Sequence, residues 1–463
     1  MAETVHKTTA ELRELLKNGQ TADQAALAKA GRLCARDRMA LIFDEGTFVE
    51  VGAYIGRKRT ELDKEADDSF EPVITGYGAV NGTLVYAFSQ DFSRLHGALG
   101  EMHAKKIVKI IEMADKANAP LIGVFDSAGA KVLEGVDALA GYSSIMAALE
   151  ISCIPKIAVV SGICGGASSV VARMFDLVIG AKKTGKLFAA LSGKVEDAVS
   201  ADAYQIDITC EDDKAAVLKA RDLIKYFAGE CEVTDDMNRI VNVDGILANE
   251  AYDIHDIIAN VFDLGSFTEI ADDHAKSMVT GLAFMNGIPV AVIANNPSYK
   301  GGFLCPGAAK KAIFVLNLAL ATDIPVVTLV DGCGIGDSKN FEEKGFSRIL
   351  AKLASSYARL DGLSVTVTLG TSYGTAYTVL GSKALTNGVA LALDRAKISA
   401  MSPDSAVAFL DEVKDESKHK ETAKEWAERY ASPLEAAKSG HIDDIIASEE
   451  LRQRIGAALE MLI

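Results

Sequence analysis

The seven cysteines form no Cys-x-x-Cys pair, which excludes a zinc ribbon on spacing alone. Their scatter and odd number point to reduced thiols rather than a disulfide framework. Prolines number only 9 against 39 glycines in 463 residues, too few for a proline-rich or fibrous chain. The histidines form no HExxH motif or tight pair, and no Walker loop, Gly-x-Ser-x-Gly elbow or GxGxxG helix opening occurs. His96 and His103 flank a helix start, where a solvated or capping role is expected. Apolar stretches such as Ala312–Ala321 fall short of the roughly 20 residues of a bilayer span. The first twenty residues lack a signal-type apolar core, so the expectation is a soluble cytoplasmic chain without an anchor. Positive charge is also short: 48 Lys+Arg against 64 Asp+Glu leave a net −16, which argues against nucleic acid as partner.

What is present is an ordinary α/β composition, 49% hydrophobic and 24% charged, with enough length for two or three domains. Self-comparison is more informative. Leu41-Ile-Phe-Asp-Glu-Gly-Thr-Phe-Val-Glu-Val51 reappears as Asn260-Val-Phe-Asp-Leu-Gly-Ser-Phe-Thr-Glu-Ile270. Thr75-Gly76, Ala104-Lys105-Lys106 and Pro120 recur at Thr280-Gly281, Ala309-Lys310-Lys311 and Pro325, each 205 residues on. Lys156–Ala167 aligns with Val365–Ala376 at an offset of 209. The reading is two homologous domains, 1–235 and 236–463, joined near 228–245. In each copy an Asn-Gly turn (81–82; 286–287) leads through a strand, a helix, a strand ending in Asp126 or Asp331, a second helix and another strand. Alternating strands and helices imply parallel βαβ units, whose ligands sit beyond the carboxyl ends of the strands.

Chemistry is therefore expected at glycine-rich strand-to-helix junctions. These are Asp126–Ala130 and Gly162–Ala167 in the first copy, and Asp331–Gly334 and Tyr373–Ala376 in the second. Missing side chains let a ligand approach the backbone, and the first amides of a helix lack internal acceptors. Without evident acid–base groups, duplicated amide holes suit a reaction whose difficulty is negative charge growing on oxygen, with enolate formation from a thioester the natural candidate.

These segments resemble the biotin-dependent acyl-CoA carboxyltransferases: β subunits of propionyl- and acetyl-CoA carboxylases, α subunits of methylmalonyl- and glutaconyl-CoA decarboxylases. The resemblance spans nearly the whole chain. It is carried by Gly31–Arg38 before Phe43–Glu50, Gln90–Phe92 with Gly97–Lys106, Asp126–Lys131 with Glu134-Gly135, and the tail Tyr430–Lys438 to Gly440–Ile445. It implies a tandem duplication of two crotonase-like domains, the first on the acyl-CoA side and the second on the biotin side. An active site is implied where the first domain of one subunit faces the second domain of another. By position, the Gly165 and Gly166 amides would hold the enolate oxygen of the thioester, and those of Thr375 and Ala376 the ureido oxygen of biotin. Ala128, Gly129, Ala130 and Lys131 would line the CoA path, with Arg57-Lys58-Arg59 as a further cationic patch. Thr378 would affect acyl choice, and Tyr373, Gly374, Gly332 and Gly334 would line the biotin side.

The resemblance further implies no metal, and biotin carried on a separate biotin carboxyl carrier protein. A biotin carboxylase or a membrane decarboxylase subunit would be a further partner, and the chain would form a homo-oligomer, hexameric as in the family. Departures include Lys131 where the family commonly has Arg, Thr375 in place of a glycine, a short loop after Asp331, and Glu196–Ala203 in place of a Gly-Gly-Ala stretch. A biotin-independent CoA decarboxylase or lyase and a non-catalytic assembly subunit stay open.

Overall fold

The computed structural model describes residues 8–18, 21–56, 58, 70–190, 194, 206–229, 235–336, 338–409 and 416–463. Arg57, Arg59 and Glu196–Ala203 lie outside the described residues. The chain divides into two compact units, Met1–Phe227 and Ala228–Ile463.

The first unit is built on one sheet of β1 (Val49–Glu50), β2 (Val73–Val80), β3 (Thr83–Gln90), β4 (Leu121–Ser127), β5 (Lys156–Gly165), β6 (Leu177–Ala181), β7 (Lys186–Phe188) and β8 (Ile208–Cys210). Its order is β1-β2-β3-β4-β5-β6-β8, with β7 pairing the end of β5. The second unit repeats this with β9 (Thr268–Glu269), β10 (Met278–Met285), β11 (Ile288–Asn295), β12 (Val326–Gly332), β13 (Ser364–Tyr373), β14 (Val389–Leu393), β15 (Lys397–Ser399) and β16 (Asp444–Ile446). The order is β9-β10-β11-β12-β13-β14-β16, with β15 on the end of β13.

Each unit opens with an antiparallel hairpin and continues in parallel. The hairpins turn on Asn81-Gly82 (φ 50° and 83°) and Asn286-Gly287 (φ 52° and 77°), the left-handed pair a type I′ turn requires. Asp44 receives the first turn's two N–H groups at 3.2 Å each, and Asp263 the second's at 3.0 and 2.9 Å.

Parallel strands covered on both faces read as unbroken apolar runs. Ile157–Val160 in β5 and Val290–Ala294 in β11 are fully buried. Each such Val or Ile contributes roughly 1.5–3 kcal/mol on burial. The helix Glu101–Ala117 packs Ile107, Ile110, Ile111 and Ala114 against the first sheet, and Pro306–Thr322 does the same with Ile313 and Leu316. The helix Val136–Ile151 differs in that its exposed side mixes apolar residues with Asp137, Ser143, Ser144 and Glu150. It and the turn before it leave Val132, Val136, Leu139 and Ile151 at 87%, 74%, 54% and 78% exposure.

Strand pairing corrects the repeat register. Leu121 pairs Lys156 in β4/β5, and Val326 pairs Ser364 in β12/β13. The offset in this stretch is therefore 364 − 156 = 208, not 209. A run of small residues aligned almost equally well one place out, whereas ladder pairing admits a single register. Tyr373-Gly374 is thus the counterpart of Gly165-Gly166, and Thr375-Ala376 of Ala167-Ser168.

Candidate active site

Both halves end their central strands in the same way. Between β4 and β5 the register shifts across Phe125/Ser127, and between β12 and β13 across Val330/Gly332. The chain leaves each sheet there in a loop that bridges back to the segment before the preceding helix, Ala130 to Leu99 and Ile335 to Leu304.

The amides of the first loop can be accounted for one by one. Ala128 N–H donates to His96 O at 2.9 Å and Lys131 N–H to Leu99 O at 2.8 Å. Gly129 N–H donates to Ser127 Oγ at 3.0 Å, and that hydroxyl donates to Gly97 O at 2.7 Å. Ala130 N–H has no partner among the described residues. In the second loop Cys333 N–H and Gly336 N–H repeat the outer pair, to Gly301 O and Leu304 O at 2.9 Å each. Gly332 stands where the first loop has Ser127, so no hydroxyl is there to take the Gly334 amide. Gly334 and Ile335 N–H are both without partners among the described residues. Unpartnered amides in exposed or half-buried loops are donors available to a ligand oxygen.

The second element of each half is a glycine turn into a short helix. Gly166 (φ 59°, ψ −130°) precedes Ala167–Arg173, and Gly374 (φ 57°) opens Gly374–Val379. Only glycine adopts such angles without strain. Gly165 must be glycine for another reason, since a Cβ there would enter the Phe188 ring. The pairing expected of the Gly165 and Gly166 amides meets a competing bond: Gly166 N–H donates to Phe188 O at 2.9 Å. The next amide, of Ala167, opens the helix and has no acceptor inside it. In the second half the equivalent amide is that of Thr375, an expected donor. Gly165, Gly166, Ala167, Gly374 and Thr375 are half-buried or exposed, whereas Ala376 is buried.

A cavity of about 650 Å³ adjoins the second glycine turn. Gly374, Thr375, Tyr377 and Thr378 form one wall, Ile398–Ala400 another, and Arg429, Tyr430 and His441 come from the carboxyl-terminal tail. The tail was visible in the sequence as a family-like segment, but its place beside Thr375 was not. Tyr373 is buried next to Asp331, and burial pushes its phenol up to about 12.

Two expectations about cations are corrected. Lys131 does not offer its charge to a phosphate: its side chain is buried, with Nζ 2.6 Å from Glu134 Oε1 and 2.8 Å from Lys58 O. Lys58 lies between Glu101 Oε2 and Asp137 Oδ2, 2.7 Å from each. Nor is His103 solvated. It is fully buried beside Gln90, and desolvation followed by the nearby Lys106 charge lowers its pKa to about 3.

Sequence reading missed what holds the strand ends. The Asp126 carboxylate is fully buried between Arg32 and Arg38, and Arg38 also reaches Asp213 Oδ2 at 2.8 Å. In the second half Asp331 accepts from Tyr252 Oη at 3.0 Å and from Thr371 N–H at 2.8 Å. Gly162 and Gly370 face these carboxylates so closely that a side chain at either would collide with the Asp. No helix among the described residues is long and apolar enough to cross a membrane. No group of three or more potential metal ligands occurs among them either.

Residues 27–463 match the family described as Carboxyl transferase domain. The chain is 34% identical to the methylmalonyl-CoA decarboxylase subunit alpha of Propionigenium modestum, over 94% of this chain and 90% of that one. It is 33% identical to the mitochondrial propionyl-CoA carboxylase beta chain of Homo sapiens, over 94% and 86%. Among solved structures, transcarboxylase 12S superposes with a TM-score of 0.90 at 29% identity, covering 98% of this chain and 94% of that one. That protein is a hexamer, solved with hydrolysed methylmalonyl-coenzyme A bound.

Proposed function

The chain belongs to the carboxyl transferase domain family, the biotin-dependent acyl-CoA carboxyltransferases, and from that premise we propose what its two halves do. It is the carboxyltransferase subunit of a multi-subunit carboxylase or decarboxylase. It moves a carboxyl group between biotin and the α-carbon of a short-chain acyl-CoA of the propionyl/methylmalonyl or acetyl/malonyl type. The units are tandem crotonase-like domains, the first handling the acyl-CoA and the second biotin. The observation that carries this is the matched pair of donor loops, one per half, each beside a positive-φ glycine turn.

On the acyl side, the N–H groups of Ala130 and Ala167 donate to the thioester oxygen as it becomes an enolate, Gly166 N–H being bonded to Phe188 O. A donor aimed at charge that exists only in the transition state raises the rate rather than the affinity, by roughly 3–4 kcal/mol per donor. On the biotin side, Gly334, Ile335, Thr375 and Ala376 supply N–H groups to a urea oxygen, and Tyr377, Ile398 and Ala400 supply the apolar wall a bicyclic ring needs. That donor set fits biotin. When bound, biotin supplies a ureido nitrogen that gives or accepts the carboxyl group; no metal is required by this scheme. Biotin arrives on a carrier protein, loaded by a biotin carboxylase or unloaded by a membrane decarboxylase subunit. The exposed Val132, Leu133, Val136 and Leu139 at the start of this segment support self-association, since neighbouring large apolar side chains left in water are normally covered.

The test is a panel of malonyl-, methylmalonyl- and glutaconyl-CoA incubated with the protein, following CO2 loss with and without free biotin. Loss of CO2 from one ester that requires biotin is expected. Equal loss without biotin would overturn the reading in favour of a biotin-independent decarboxylase.

A further inference from the structure

Three segments far apart in the chain meet at the end of β4. Arg32 and Arg38 come from the amino-terminal helical region, Phe92 from the loop after β3, and Asp126 from β4 itself. The Arg32 guanidinium lies 4.1 Å over the Phe92 ring and binds both oxygens of Asp126. Arg38, 1% exposed, donates to Asp126 Oδ2 and Asp213 Oδ2 at 2.8 Å each. Asp213 Oδ2 also takes Leu33 N–H at 2.8 Å. Two carboxylates and two guanidiniums balance.

The two arginines are not equivalent. Arg38 ties Asp126 to the helix Asp213–Leu223 within the core. Arg32 sits at the rim, its side chain 13% exposed, and touches both strands that carry the acyl-side amides. It reaches β4 through Asp126. It reaches β5 at Gly162, where a Cβ would lie 2.6 Å from its Nη2. Burial and the neighbouring Arg38 lower its pKa to about 10, so it stays cationic at neutral pH. The second half has the same Asp and Gly but holds them with a phenol and a threonine.

We propose that Arg32 is a positioning residue for carboxyl transfer on the acyl side: by gripping Asp126 and lying against Gly162 it sets the loop Ser127–Lys131 relative to the Gly165–Ala167 turn. This rests on the acyl-side reading given above. Misplacing reacting or stabilising groups by about 1 Å costs on the order of 100-fold in rate. The loop carries the unpartnered Ala130 N–H, and its donors act on the transition state, so the loss falls on kcat.

The test uses the full chain with Arg32→Gln and Arg32→Lys. Three quantities are read: kcat and KM for methylmalonyl- or malonyl-CoA with free biotin, amide hydrogen exchange over residues 128–131, and the thermal midpoint. For Arg32→Gln the expectation is a fall in kcat of about 30-fold, a KM within about threefold of the parent, and roughly tenfold faster exchange in the loop. Arg32→Lys keeps the charge but loses the fork, and is expected to lie between, about fivefold down in kcat. A lowered midpoint with kcat per folded molecule and loop exchange unchanged overturns the proposal, because that is what a purely structural arginine predicts. So does a lysine variant identical to the parent in both readouts, which also decides the case if the glutamine variant fails to fold. If the parent chain itself shows no biotin-dependent transfer, the proposed function falls separately. Loop exchange then decides the positioning claim, with unchanged protection refuting it.

Discussion

The two halves share strand order, turn chemistry and glycine positions, yet secure the same strand end by different physics. Asp126 is held by buried charge, Asp331 by neutral hydroxyls and a backbone amide. A network of opposite charges is rigid while balanced and costly when one member goes, whereas a carboxylate held by neutral donors loses only the one charge-assisted bond removed. The loops differ in the same sense: Ser127 consumes the Gly129 amide, while Gly332 leaves its counterpart free. One plan thus yields a tightly tied first loop and a second loop with one more amide lacking a partner among the described residues.

Breaking the anchors should show the contrast most strongly. Arg38→Met strands Asp126 and Asp213 with one guanidinium between them and should destabilise the first unit by about 3–5 kcal/mol. Tyr252→Phe in the second unit should cost less, about 1.5–3 kcal/mol for one bond to a carboxylate. Denaturant unfolding followed by exchange in each unit separately checks this, and equal losses would refute the distinction. Ser127→Ala comes next. It frees Gly129 N–H, so that the first loop carries two open amides like the second, at a cost of about 1–3 kcal/mol for the groups left unpaired. Its transfer kcat should change by roughly tenfold while biotin affinity holds, which steady-state kinetics with varied biotin would read.

The smallest expected effect is in pH. Glu71 is buried with no hydrogen-bond partner for its carboxylate among the described residues, and desolvation pushes it up to about 7. The folded first unit then holds a proton that the unfolded chain releases, so its stability falls as pH rises from about 4.5 to about 7. In the second unit, hydrogen bonding to Glu269, opposed by partial burial and helped by Asp253, raises His255 to about 9. Its contribution is fully present below about 6.5 and is lost as pH rises through about 9. Midpoints recorded for each unit against pH should decline in these two windows, with Glu71→Gln and His255→Gln flattening one each. Coincident windows would refute the assignment.

Much of this was legible in residues. The Asn-Gly turns, the buried faces of 101–117 and 306–322, and the strands ending at Asp126 and Asp331 follow from periodicity and turn chemistry, which act over a few residues. The duplication was legible because the offset of 205 held from Thr75 to Pro120. From Lys156 on the true offset is 208, and the sequence alignment at 209 was one residue out because Gly, Ala, Ser and Thr made neighbouring alignments nearly equivalent. Lys58 was misread as an open cation because its partners Glu101 and Asp137 lie 43 and 79 positions away; Lys131 pairs with Glu134 only three positions on, but the burial that enforces that pair belongs to the fold.

What the chain's residues determined unaided was local and repetitive: two α/β units of one pattern, glycines where backbone must turn left-handed, and family-like segments at both ends. Which amides stay unpartnered, which lysines are neutralised, and that Arg32, Arg38, Phe92, Asp126 and Asp213 form one cluster were decided by tertiary structure. The reason is that hydrogen-bond occupancy and charge compensation depend largely on neighbours brought from 30 to 180 positions away, a separation over which no local propensity acts.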